Sequence, residues 1–153
     1  MTTKPVALGA DHAGFALKEE IRKHLDEIGV PYKDFGAYST ESVDYPKMAV
    51  APCQAVLSGE CEVALLFCGT GIGISLSANK IKGIRAFPCS DSYSCEYGRR
   101  HNDANVLCLG GRVVASGLAC QLVDIFLNTS FEGGRHARRV NQISELEETG
   151  AIC

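Results

Sequence analysis

Short apolar runs of β type, each closed by a turn carrying Gly or Asp and followed by a segment of helical period, recur along the whole chain. Val6-Ala7-Leu8 runs into Gly9-Ala10-Asp11-His12, after which Leu17, Ile21, Leu25 and Ile28 mark one face of a helix that Gly29 closes at its C′ position. Tyr32–Phe35 reads as a second strand, Gly36–Asp44 as a loop, and Pro46 as the opening of a helix that ends before Gly59. Pro52 falls inside that helix and is expected to kink or split it, because proline has no N–H to give the preceding turn. Val63–Phe67 is the clearest buried strand, followed by Cys68-Gly69-Thr70-Gly71-Ile72-Gly73 and a helix to about Lys80. Ile84–Pro88 predicts a fourth strand and a polar helix to about Arg99. Asn105–Leu109 predicts a fifth, leading through Gly110-Gly111 to an amphipathic helix carrying Val113, Leu118, Leu122, Ile125 and Phe126. A last helix is expected from about Ala137, with Val140, Ile143 and Leu146 on one face.

Few architectures accept this alternation. Strands that are apolar throughout are covered on both faces, and helical crossovers make them parallel. The fold class is therefore α/β: a doubly wound five-stranded parallel sheet, a Rossmann- or flavodoxin-like three-layer sandwich. No repeat, linker or low-complexity stretch divides the 153 residues, so residues 1–153 read as one domain, long enough to bury roughly 70% of its unfolded surface. Ligands of such sheets bind at the carboxyl ends of the strands. That rule singles out Asp11-His12, the loop from Cys68, and Gly110-Gly111-Arg112.

Composition removes whole classes of function. A hydrophobic content of 46% excludes a disordered chain. The longest unbroken apolar run, Val63–Cys68, is six residues, far below the ~18 of a membrane span. Met1-Thr2-Thr3-Lys4-Pro5 leads into a short apolar segment without the hydrophobic region of a secretory signal, so a cytoplasmic protein is expected. Fifteen basic against 18 acidic residues, net −3, leave no basic footprint for nucleic acid. The eight cysteines form no C-x₂₋₄-C pair and the four histidines no H-x₃₋₅-H pair. Zinc-site spacing is absent, no metal is expected, and most thiols should be reduced and buried as small apolar residues.

Cys68 stands apart from the other seven. The glycines that follow it let backbone N–H groups converge on an anion, and the helix start behind them favours a thiolate. Ile74 stands where a dinucleotide fingerprint needs glycine, and a Gly-Lys-Ser/Thr phosphate loop is missing. A tight structural turn would have the same spacing. Asp11 reads either as a helix cap or as a polar group at the strand end. His101-Asn102 sits in a polar stretch, where a lone histidine is as readily a surface or core residue as a catalytic one. Arg135 and Arg139 are i and i+4, so on a helix they share a face and can grip one phosphate, or form a solvated basic end. His24 has no functional case. Taken together these residues point to a cofactor-free reaction on a small phosphorylated substrate.

The ordered motifs Ala7-Leu8-Gly9-Ala10-Asp11-His12-Ala13-Gly14, Glu41-Ser42-Val43-Asp44-Tyr45-Pro46, Cys68–Ser75, Ala78-Asn79-Lys80, His101–Asn105 and Gly133–Val140 resemble those of the type B ribose-5-phosphate isomerases. That family also contains the galactose-6-phosphate isomerase subunits. The resemblance covers nearly the whole chain. It implies interconversion of ribose 5-phosphate and ribulose 5-phosphate through a cis-enediolate, without metal or cofactor, in the pentose phosphate pathway. Cys68 matches the base that moves the proton between C2 and C1, and Ser75 stands where members lacking that cysteine carry Glu. His101 matches the residue that opens the furanose ring. Thr70 matches a residue supporting the thiolate and O1/O2, and Asp11 and Asn102 match contacts to sugar hydroxyls.

The same resemblance places His12, Arg112, Arg135 and Arg139 around the phosphate. It puts Tyr45 at the substrate and the backbone of Gly69, Gly71, Ile72 and Gly73 around the enediolate as an oxyanion hole. Family members are dimers or dimers of dimers with shared sites, so a homodimer whose C-terminal helix extends to the partner is implied, with no nucleic-acid or membrane partner. Pro52 and Cys53 depart from the family's usual uninterrupted helix, and the high cysteine count implies sensitivity to oxidation. A six-carbon substrate such as allose or galactose 6-phosphate is the alternative within the family. The galactose enzymes use two different subunits, and the presence of Cys68 and His101 together favours a self-sufficient chain. A non-catalytic sugar-phosphate or flavin-binding module is the alternative from another class.

Overall fold

The structure, a computed structural model, describes residues 3–153. Five strands, β1 (Val6–Ala10), β2 (Tyr32–Asp34), β3 (Ala64–Cys68), β4 (Ala86–Pro88) and β5 (Val106–Gly110), pair in parallel in the order β2-β1-β3-β5-β4. Helices α1 (Phe15–Glu27), α2 (Tyr45–Leu57), α3 (Ile72–Ala78), α4 (Ser92–Arg100) and α5 (Ser116–Asn128) cross between them, and α6 (Arg135–Thr149) follows. The α/β three-layer sandwich expected from the sequence is present, with β4 and β5 exchanged relative to the flavodoxin-like order.

Alternation along the strands divides the core into two. Val6, Leu8, Leu65, Phe67, Leu107 and Leu109 pack with Leu17, Ile21 and Leu25 of α1 and with Ala119, Leu122 and Phe126 of α5. Ala7, Ala64, Leu66, Cys68, Val106 and Cys108 face the other way, against Ala49 and Cys53 of α2 and Ile74 and Ala78 of α3. The central strands β1, β3 and β5 are buried throughout, as their unbroken apolar runs require.

Several boundaries differ from the sequence reading. Pro52 does not split α2, which runs on from Tyr45 to Leu57. The reason lies on β1: a Cβ at Gly9 would fall 2.7 Å from Pro52 Cγ and 2.8 Å from the carbonyl oxygen of Met48. Met48 is the residue whose carbonyl a proline four positions later cannot satisfy, and the bare Gly9 backbone makes room for ring and carbonyl together. Helix α3 stops at Ala78 rather than Lys80, β4 begins at Ala86 rather than Ile84, and Val113 precedes α5 in exposed chain. Helix α6 starts at Arg135 and buries only His136 and Val140. Ile143 and Leu146, expected on its packed face, are each 45% exposed. Gly29 is the C′ residue of α1, with φ +71°, as its position predicts. His24 joins α1 to α5 through Asp124, 2.7 Å away.

Lys18 has no exposed surface, and its Nζ lies 2.5 Å from Asp34 Oδ2 at the end of β2. Asp34 Oδ1 accepts the Gly36 N–H, and Gly36 and Ala37 pair with the backbone of Ala10 at the end of β1. The ion pair thus fixes the loop flanking the carboxyl end of β1. Its sequence signal was a lysine in the apolar stripe it shares with Ile21 and Leu25. Lys18→Met should cost about 3 kcal/mol, because it strands a mostly buried carboxylate. Urea melts should show that loss with an unchanged m-value, and a loss below about 1 kcal/mol would mean the pair contributes little.

Candidate active site

The order β1-β3-β5 brings three strand ends side by side, with Ala10 opposite Phe67 and Cys68 opposite Gly110. Asp11, the loop after Cys68, and Arg112 therefore share one edge of the sheet, as the strand-end rule anticipates. Cys68 is 4% exposed, and its Sγ accepts the Gly71 N–H at 3.1 Å. Gly71 makes this turn at φ +80°, with its Cα so close to β5 that a Cβ would come within 3.2 Å of the Cys108 carbonyl oxygen. With α3 only seven residues long, the direct amide contact, more than a long helix dipole, is what the sulfur meets.

The remaining groups of this edge interlock with the loop. The N–H groups of Gly111 and Arg112 donate to the carbonyls of Cys68 and Gly69. A Cβ at Gly69 would lie 3.4 Å from Arg112 Nη1, so the guanidinium runs along the loop. Thr70 Oγ1 accepts the Ile72 N–H at 3.1 Å, which leaves the hydroxyl proton free to donate outward. The Gly71 and Ile72 amides are thus engaged internally, and among the described residues the Gly73 amide has no such acceptor. Asp11 is buried, and Oδ1 accepts the Gly14 N–H at 2.9 Å, so it does cap the turn before α1 while also lining the cleft. His12 Nδ1 accepts the Val43 N–H at 3.2 Å, leaving Nε2 available. The Tyr45 ring packs on Gly73, where a Cβ would come within 2.8 Å of it. Asp11, His12, Val43 and Tyr45 line a cavity of about 540 Å³.

The other expected residues lie at the opposite edge. In a parallel sheet His101 and Asn102, which precede β5, sit at the amino ends of the strands, whereas Cys68 ends β3. The five residues of β5 separate the two edges by roughly 13 Å. Arg85 and Arg99 hold the turn here through the backbone and carboxylate of Asp103, whose φ is +46°. Helix α6 lies across this same edge. Its start meets His101 through His136, whose ring stacks on that of His101 at 3.8 Å, and near its end Glu147 accepts the Gly83 N–H in the loop before β4. Arg135 and Arg139 are one turn apart on it and exposed. Among the described residues neither they nor Arg112 has a carboxylate within 4.0 Å. A larger apolar cavity, about 760 Å³, lies between β4, α4 and α6, and Asn102 is the one expected site residue on its wall.

One chain therefore gathers the candidate residues in two groups: Asp11, His12, Tyr45, the Cys68–Gly73 loop and Arg112 at one edge, and His101, Asn102, Arg135 and Arg139 at the other. Arg85, Asp103, Glu132 and His136 contact the second group and were not singled out by sequence reasoning. The His-Ala-Arg-Arg run after two glycines was the nearest available signal for His136. All eight cysteines are free. Burial pushes the Cys53 thiol up to about 12 and those of Cys61, Cys108 and Cys120 upward as well, which makes them poor nucleophiles. No helix among the described residues is long and apolar enough to cross a membrane.

Known proteins match this chain across its length. The family model for ribose/galactose isomerases matches residues 6–143. Ribose-5-phosphate isomerase B of Escherichia coli (strain K12) is 50% identical over 145 residues, covering 95% of this chain and 97% of the relative. D-erythrulose-4-phosphate isomerase of Pectobacterium atrosepticum is 38% identical over 143 residues, covering 93% of this chain and 94% of the relative. The solved structure of Clostridium thermocellum ribose-5-phosphate isomerase B superposes with a TM-score of 0.93 at 48% identity, covering 96% of this chain and 99% of that one.

Proposed function

The chain belongs to the ribose/galactose isomerase family, and on that premise we propose that this sugar-phosphate isomerase interconverts ribose 5-phosphate and ribulose 5-phosphate at sites shared between two copies of itself. The observation that carries the reading is the placement of Cys68 and His101 at opposite edges of one sheet. A reaction that uses both needs the Cys68 edge of one copy to face the His101 edge of another. The exposed apolar residues Ile72 and Leu76 on α3, and Ile143 and Leu146 on α6, support that pairing, since a partner would cover them. A homodimer is the smallest assembly that does so, and a dimer of dimers also satisfies it.

In this reading His101 donates a proton to the furanose ring oxygen. The C1–O4 bond breaks, the C1 hydroxyl proton departs, and the aldehyde forms. Cys68 sulfur then takes the C2 proton, its electron pair forms the C1–C2 double bond, and the carbonyl pair moves onto O1. The sulfur returns the proton to C1, the O2–H bond pair becomes the C2 carbonyl, and the O2 proton passes to O1, which gives the ketose and frees the sulfur for the next turnover. The Gly71 amide holds the sulfur, and an N–H aimed at sulfur serves best when that sulfur is anionic. The Thr70 hydroxyl and the Gly73 amide are the donors left for O1 and O2. Ser75 is buried with its hydroxyl donating to the Ile72 carbonyl, so no second base competes at that position.

Asp11 and the partner copy's counterpart of Asn102 are assigned to the sugar hydroxyls, with Tyr45 beside them. His12 and Arg112 from one copy, and the exposed Arg135 and Arg139 from the other, are assigned to the phosphate. These cations act locally, and a net charge of −3 does not oppose an anionic substrate. No cofactor or metal has a part in this route.

The test is a substrate panel on the purified chain. A kcat/KM for ribose 5-phosphate at least about tenfold above those for allose 6-phosphate and galactose 6-phosphate is expected. A six-carbon preference would overturn the substrate assignment, and no isomerisation of any of them would overturn the activity.

A further inference from the structure

The loop before α6 places Glu132 where its Oε2 lies 3.6 Å from Nε2 of His101 and 3.6 Å from Nε2 of His136. The loop is tied to α4, because the Glu132 N–H donates to the Arg100 carbonyl at 3.0 Å. The three side chains bring their donor atoms within 4.8 Å of one another, and two histidines with a carboxylate are the ligand types of a zinc site. The ring geometry speaks against that use. The imidazoles stack with centroids 3.8 Å apart and planes 9° apart, so their Nε2 directions run side by side instead of converging. At 3.6 Å from each ring nitrogen, the carboxylate oxygen instead faces the pair as a shared neighbouring charge.

We propose that Glu132 is a positioning residue for ring opening: one carboxylate oxygen facing both stacked histidines holds a single positive charge on the pair, and His101 delivers that proton to the sugar. The proposal rests on the ring-opening role assigned to His101 above. Two imidazolium rings stacked at 3.8 Å would repel, so the geometry disfavours a second proton on the pair. His136 is the neutral member. Burial, then the neighbouring His101 and Arg135, push it below the usual histidine range, with Arg139 acting in the same sense and Glu132 opposing. His101 is the more exposed of the two, at 33% of its side chain against 8%. The other groups around the pair are Tyr97, edge-on to His101 from α4, and Arg100, whose Nη1 lies 3.6 Å from the second carboxylate oxygen of Glu132. At His136 the guanidinium groups of Arg135 and Arg139 disfavour a proton, and the Glu132 carboxylate opposes them.

The experiment compares Glu132→Gln and Glu132→Asp on two sugars. Ribose 5-phosphate closes a furanose ring, whereas erythrose 4-phosphate, with O4 esterified, cannot. Glu132→Gln should lower kcat/KM for ribose 5-phosphate about tenfold to a hundredfold. Without the carboxylate the pair gives up its proton more readily, so the alkaline limb of that pH profile should move to lower pH by about one unit. Glu132→Asp should keep the limb in place, and isomerisation of erythrose 4-phosphate should stay within about twofold for both variants. Equal losses on both sugars, or a loss on ribose 5-phosphate with an unmoved limb, would overturn the proposal. His101→Asn separates the two levels of inference. If it depresses both sugars equally, the ring-opening role itself fails. If it spares erythrose 4-phosphate while Glu132→Gln changes nothing, only the role of Glu132 fails.

Discussion

Cys68→Ala should lose about 10⁴-fold in kcat on ribose 5-phosphate while KM changes little and the protein still folds. The sulfur is the only group in the proposed route that carries the proton between C2 and C1. Ser75, which stands where members lacking the cysteine carry Glu, spends its hydroxyl on a backbone carbonyl. Substrate binding rests on other groups, Asp11, His12, Tyr45 and the arginines, so the loss should fall on turnover. Folding should survive because removing one buried sulfur costs about 1 kcal/mol, and the turn through Gly71 is held by other backbone bonds as well. Cys53→Ala and Cys108→Ala serve as controls. Both thiols are buried on the same side of the sheet, and desolvation keeps them protonated. They should retain turnover within a few-fold. If Cys68→Ala keeps kcat within tenfold of the parent, the proton is carried by another group.

The fold was legible because its signals are local. Unbroken apolar runs such as Val63–Phe67, turns at Gly29 and Gly71, and the 3.6-residue period of Leu17, Ile21 and Leu25 each declare an element without reference to the rest of the chain. The exchange of β4 and β5 was not legible, since strand order depends on which crossover each helix takes. The unbroken run of α2 through Pro52 was not legible for a related reason. Its tolerance is decided by Gly9, 43 positions earlier in the chain, whose missing Cβ makes room for the ring and the Met48 carbonyl. The Cys68 half-site was readable as a strand end followed by glycines. Glu132 was not, because its contact with His101, 31 positions earlier in the chain, exists only once the loop before α6 docks on the end of α4. The periodicity of α6 predicted one packed apolar face, but only Val140 of it is buried, and Ile143 and Leu146 stay half-exposed within one chain.

Subunit mixing gives the second large effect. His101→Asn and Cys68→Ala should each be nearly inactive alone on ribose 5-phosphate. If Cys68 of one copy works with His101 of another, a dimer with one subunit of each kind holds one site with both groups intact and one with neither. Co-expression or co-refolding at equal amounts places half of the dimers in that class, so roughly a quarter of parental turnover should return. A site built within one chain would contain a defect in every copy, and reassortment would restore nothing. The mixed-subunit assay on ribose 5-phosphate therefore decides whether the two edges of the sheet work together: recovery to about one quarter is the expected result, and activity no higher than that of the separate variants would contradict a shared site.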